Sequence, residues 1–175
     1  MNMLNLRHAL APLLRLDLPR WHGLPQASAA QFDALFGAPD ALREEMLGAY
    51  PALHRCYRTD GAAGGLHVWL RGARAIMVQT VRPPDATVLA ALPEPTAVLA
   101  HEIDLPDAYA HEYLYGPLGL VLTVAQAHRR TQPDRIVRCR GIRPLESSRE
   151  FGPAYYLALE DRTHWTPTRF AGASA

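Results

Sequence analysis

The chain has 175 residues, 49% hydrophobic and 20% charged, which fits one globular domain and excludes a disordered or fibrous protein. Its 18 basic residues against 17 acidic ones leave a formal charge of +1, excluding a global drive toward nucleic acid or anionic membrane. Every basic residue is arginine, which also excludes lysine chemistry such as Walker-type phosphate binding and Schiff bases.

The first segment predicts a short amphipathic helix over 3–16, with Leu4, Leu10, Leu13 and Leu14 facing inward. Arg7, His8, Pro12 and Arg15 break its apolar run, so it reads as neither a signal peptide nor a membrane span. A cytoplasmic protein with no membrane partner is the expectation. Residues 29–40, AAQFDALFGAPD, read as a helix capped by Ser28 and stopped by Gly37 and Pro39. The next stretch, PDALREEMLGAY at 39–50, is rich in helix formers and predicts a further helical insert. HVWLRG at 67–72 and AIMVQTV at 75–81 then predict an antiparallel hairpin.

A second short helix is expected in DATVLAALPEPT at 85–96, capped by Asp85. Strands follow at 97–103 and 109–115, the latter running into HEYLYG at 111–116 and then LGLVLTV at 118–124. The polar AQAHRRTQPD reads as a loop, RIVRCRGI at 135–142 as a strand, and FGPAYYLALED at 151–161 as a closing helix. Cys56 and Cys139 are the only cysteines, too few for a disulfide framework, and read as free thiols.

Two motifs recur in the same order. Phe36-Gly37-Ala38-Pro39 answers Leu92-Pro93-Glu94-Pro95, and HVWLRG answers HEYLYG, matching His67 to His111 and Trp69 to Tyr113. The first interval is 12 residues longer, a difference that the 39–50 insert accounts for. The expected fold class is therefore α+β. A single domain, 1–175, contains two helix–β-meander repeats at about 28–82 and 84–142, forming one antiparallel sheet flanked by terminal helices.

These short motifs, with Trp69, Tyr113 and Tyr115, resemble the β-lactamase-inhibitor-protein-like fold and the small outer-membrane lipoprotein assembly factors. The resemblance covers roughly residues 28–142. It implies a non-catalytic module that binds another protein across a concave, aromatic-rich sheet. The chain departs from those families in lacking an export signal and disulfide-spaced cysteines, so no β-lactamase target is implied.

Alternate residues of a strand share a face, which aligns Tyr109, His111, Tyr113 and Tyr115 in one row and His67, Trp69 and Arg71 in another. Such rows have the composition of an interface hot spot, with Val68, Leu70, Leu114, Leu118, Leu120, Leu122 and Val124 as the opposing core. Residues 128–149 hold seven arginines against Asp134 and Glu146, and Arg138 and Arg140 would share a strand face. The expected function is a cytoplasmic inhibitor or immunity-type protein. Trp69, Tyr113 and Tyr115 would anchor the partner, and Arg71, Arg138 and Arg140 would favour an acidic one.

The same face could serve a second copy of the chain. No catalytic residue, cofactor or metal is expected on this reading. One alternative is a small metal-dependent or acid-base enzyme using His101, set opposite His111, with Glu112. Another is a nucleic-acid accessory protein using the 129–149 arginines, which the missing recognition helix and near-zero charge disfavour.

Overall fold

The computed structural model describes residues 3–47, 50–105, 108–127, 133–144 and 167–170. Helix α1 spans Met3–Leu14 and buries Leu6, Leu10 and Leu13, a 3–4 residue spacing that forms one apolar stripe. A 3₁₀ turn at Leu18–Arg20 leads to Trp21, which is fully buried. Helix α2 spans Ala29–Phe36. Ser28 accepts from Gln31 N while the Gln31 side chain accepts from Ser28 N, a complete capping box.

Four strands then form a meander: β1 (Ala41–Leu47), β2 (Tyr50–Arg58), β3 (Gly65–Arg71) and β4 (Arg74–Thr80). A 3₁₀ segment at Ala86–Ala91 precedes a second set, β5 (Ala97–Leu105), β6 (Ala108–Tyr115), β7 (Leu120–Ala127) and β8 (Arg135–Ile142). With β9 (Pro167–Phe170) they make one antiparallel sheet in the order β1-β2-β3-β4-β8-β7-β6-β5-β9. The two meanders thus meet edge to edge at β4 and β8, where Val78 pairs with Gly141 and Gln79 with Arg140.

The helices cover one face of this sheet. There the α1 leucines, Trp21, Leu24 and Phe32 pack on Leu66, Val68, Leu70, Val78, Leu120, Leu122, Val124 and Cys139. Each fully buried side chain of this size contributes about 1.5–3 kcal/mol. Two glycines make the close fit possible. A Cβ on Gly141 would lie 2.7 Å from Trp21 Cζ2, and Gly119, at φ +55°, would place one 2.3 Å from the Ile142 carbonyl oxygen. Trp21 Nε1 donates to the Gly119 carbonyl at 3.3 Å, locking the loop to the seam.

The α+β class and the antiparallel sheet agree with the sequence reading, as do the presence of α1 and α2 and the Ser28 cap, but α1 buries Leu6 and leaves Leu4, expected inside, 60% exposed. Residues 39–50 are a correction, because β1 occupies Ala41–Leu47 where a helix was expected. Pairing with β2 supplies that backbone with partners and overrides the helix propensity of Glu44, Glu45 and Met46. No strand was expected at 50–58, where β2 lies. The second short helix is a 3₁₀ segment. HVWLRG falls in the third strand of its meander and HEYLYG in the second of its own, so the string match does not align equivalent strands. The expected helix at 151–161 lies outside the described residues.

Candidate metal centre

The two aromatic rows lie on opposite faces of the sheet, which corrects the single binding face expected from sequence. His111, Tyr113 and Tyr115 pair with Val124, Leu122 and Leu120, which puts them on the helix-covered side. Tyr115 is 3% exposed within the core, Tyr113 packs against it, and only Tyr109, at 56%, is open to solvent. His67 and Trp69 instead share the far face with Cys56 and His54. The physical reason is that β6 and β7 are buried on both faces, so their alternation marks no solvent side. Leu114 accordingly belongs to the far-face cluster rather than to the helix-covered core.

The arginines also separate. Arg71, Arg135, Arg138 and Arg143 are exposed, whereas Arg140 is buried and pairs with Glu112 at 2.7 Å. Thr123 completes that network, donating to Glu112 and accepting from Arg140 at 3.0 Å. Arg129, Arg130 and Arg149 lie outside the described residues. His101 is not opposite His111: the β5–β6 register pairs Ala100 with His111 and slips before Asp104. That slip corrects the imagined His101–His111 pair, and Glu112 is engaged by Arg140 and Thr123.

What the fold does assemble is a cluster absent from the sequence reading. On the far face of the first meander, His54 and Cys56 are two residues apart on β2, and Cys56 pairs directly with His67 on β3. His54 Nε2 lies 2.9 Å from His67 Nδ1, and Cys56 Sγ lies 3.5 Å from His54 Nε2 and 3.3 Å from His67 Nδ1. Three donor atoms thus converge on one point. The missed signal was a His-x-Cys step in a strand with a histidine eleven residues on, across one hairpin.

The surroundings hold the rings still. Trp69 stacks on His54 with centroids 4.5 Å apart and planes 2° from parallel, and His67 touches both rings, its centroid 5.1 Å from His54 and 5.9 Å from Trp69. Trp69 Nε1 donates to Glu45 Oε1 at 2.6 Å, and that oxygen is also 3.3 Å from His54 Nδ1. Arg43 Nε donates to the same Nδ1 at 2.9 Å and lies 3.2 Å from the second Glu45 oxygen. From behind, Asp33 of α2 accepts from Tyr57 and Arg55, both at 2.9 Å, and so fixes β2.

Burial holds both imidazoles below the ordinary histidine value, more than Glu45 offsets at either ring. Each neutral ring keeps one bare nitrogen, and the tautomer decides which. Burial likewise pushes the Cys56 thiol up, which favours its protonated form. Cys139 sits on the helix-covered face and is pushed up to about 12 by burial. The two thiols are free and face away from each other across the sheet.

No known family and no curated protein matches the sequence. Among solved structures the chain is similar to a DUF4309 family protein (YjgB) from Bacillus subtilis subsp. subtilis str. 168. The TM-score is 0.44 and the identity 10%, over 79% of this chain and 96% of that one. A likeness at that level transfers no function. Among the described residues, no helix is long and apolar enough to cross a membrane.

Proposed function

We propose that the chain is a non-catalytic metal-binding protein holding a borderline-soft divalent ion, zinc foremost, through His54 Nε2, Cys56 Sγ and His67 Nδ1. The carrying observation is the spacing of these donors. A tetrahedral zinc with bonds of about 2.0 Å to nitrogen and about 2.3 Å to sulfur separates its donors by roughly 3.3–3.6 Å. The separations here are 2.9, 3.3 and 3.5 Å, so closure on an ion needs shifts of a few tenths of an ångström at most pairs. Two imidazoles and a thiolate suit zinc or copper and disfavour magnesium and calcium.

Cys56 is flanked on β1 by Ala41, a small and exposed residue, which leaves room for a fourth ligand from solvent. Binding is favoured over turnover because Glu45 is engaged by Trp69 and by the far nitrogen of His54. Titration of metal-free protein with Co²⁺ tests the reading. One equivalent should bind with tetrahedral d–d bands and a thiolate charge-transfer band, both lost in Cys56→Ser. No uptake by wild type overturns it.

The protein-binding reading remains as a second proposal, relocated to the edge of the sheet. Among the described residues, strand β1 pairs only with β2, and Leu42 and Met46 are 55% and 63% exposed on it. Such an edge is a template for an added strand from a partner protein. Replacing Leu42 and Met46 by lysine should abolish that association and leave metal uptake intact. The two-repeat reading belongs here as well. It is supported by the two four-strand meanders, each preceded by a short helical segment.

A further inference from the structure

We infer that Glu45 and Arg43 compete for one atom, Nδ1 of His54, so that Glu45 positions the metal ligand and Arg43 opposes it. This rests on the metal reading above and names a control on the same site. The two contacts demand opposite protonation of that nitrogen. Arg43 Nε, 2.9 Å away, always carries its hydrogen and can donate only to a bare Nδ1. Glu45 Oε1, 3.3 Å away, is an acceptor and can bond only a protonated Nδ1.

Without metal the first arrangement holds. Nδ1 accepts from Arg43, so the ring proton sits on Nε2, where it donates to His67 Nδ1 at 2.9 Å. In that state one metal-ligating nitrogen is capped by a proton, and another is occupied as its acceptor. A metal needs Nε2 bare, so the ring must lose that proton to water and take one from water at Nδ1. The imidazole stays neutral throughout, and the one net proton released comes from the Cys56 thiol.

Nδ1–H then donates to Glu45, the carboxylate–histidine–metal arrangement that orients a ligand and raises its basicity. Arg43 must leave Nδ1, and it has somewhere to go, since Glu45 Oε2 is already 3.2 Å from its Nε. Its side chain is 63% exposed, so the move meets little packing.

The test combines affinity with direct observation of the ring. Zinc affinity is measured against a competing chelator for wild type, Arg43→Met and Glu45→Gln. Changing a residue that hydrogen-bonds a metal ligand alters metal affinity by about 10–100-fold. Arg43→Met should therefore bind zinc more tightly, by on the order of tenfold, and Glu45→Gln more weakly by a similar factor. Nitrogen-15 spectra of the histidine side chains should show His54 protonated at Nε2 in metal-free wild type and at Nδ1 with zinc bound. In metal-free Arg43→Met the population should already shift toward Nδ1–H.

Both variants change exposed or half-exposed strand positions, and their circular dichroism is compared with wild type. Wild type that takes up no zinc overturns the metal reading, and this inference with it. Zinc binding with an unchanged His54 tautomer, or with Arg43→Met binding no tighter, overturns the competition alone.

Discussion

The far face of the sheet carries one polar cluster in each meander, and the two solve opposite problems. The first joins the second and third strands of its meander, and the second spans the second, third and fourth strands of its own. In the second meander, Arg140, Glu112 and Thr123 are 1%, 0% and 2% exposed, and each charged group meets a complementary one. In the first, His54, Cys56 and His67 direct three electron-pair donors at one another beside a partly open flank. A buried polar group persists only when its partners are present. In the second cluster each charge meets its counterpart, whereas the first joins donor atoms by hydrogen bonds that a cation could replace. On the metal reading proposed above, that difference gives the second a structural role and the first a binding role.

The sharpest way to break the comparison is to remove one partner from the closed network. Arg140→Met leaves the Glu112 carboxylate buried without its countercharge and should cost about 3–5 kcal/mol, read from urea unfolding. The double replacement Arg140→Met with Glu112→Leu should recover most of that loss, because no stranded charge remains. A mild effect of Arg140→Met alone would mean that the network is not closed, and the contrast between the meanders would fail.

The open cluster should behave the other way. Zinc at a hundredfold excess over its dissociation constant should stabilise wild type by about 2.7 kcal/mol. His67→Gln and Cys56→Ser should leave the metal-free protein near wild-type stability and abolish that gain. Thiol labelling gives a smaller, independent contrast. Iodoacetamide should modify Cys56 and spare Cys139, which is fully buried with its thiol pushed up to about 12. Zinc should protect Cys56, and Cys139 should react only on unfolding.

The sequence made much of the helix-covered core legible. The leucine spacing of α1, the Ser28 cap and the apolar runs of β3, β4, β7 and β8 are local signals, and they act locally. The His54–Cys56–His67 cluster was illegible because it depends on β2, whose pattern was hidden by two neighbours. Glu44, Glu45 and Met46 advertise a helix, which displaced β1 and left β2 without a visible pairing partner. Without the Cys56–His67 register, His54, Cys56 and His67 are three unrelated residues. Facing failed for a similar reason: His67-x-Trp69 and His111-x-Tyr113 match as strings, but each strand's neighbours decide which side they take.

The two meanders also differ in how they begin, and this yields the finest test of their inequivalence. The first opens on an eight-residue α-helix with a reciprocal capping box between Ser28 and Gln31. The second opens on a 3₁₀ segment, where Asp85 accepts from Thr87 N at 2.9 Å in full solvent. Removing a cap of the first kind costs about 1 kcal/mol, so Ser28→Ala should lower unfolding stability by that amount. Because α2 carries Asp33, which braces β2 through Tyr57 and Arg55, the variant should also loosen the strand that presents His54 and Cys56.

Asp85→Ala should cost less, and its cost should depend on pH. The Thr87 amide holds the Asp85 carboxyl below its ordinary value, so its contribution is full above the ordinary value and is lost as pH falls through the lowered one. Thermal unfolding of both variants, at neutral pH and below the carboxylate range, separates the two caps. The Ser28→Ala deficit should persist in acid, since a hydroxyl does not titrate there, while the Asp85→Ala deficit should vanish. Equal, pH-independent losses would show that the two openings are energetically equivalent and that the meanders differ only on their far face.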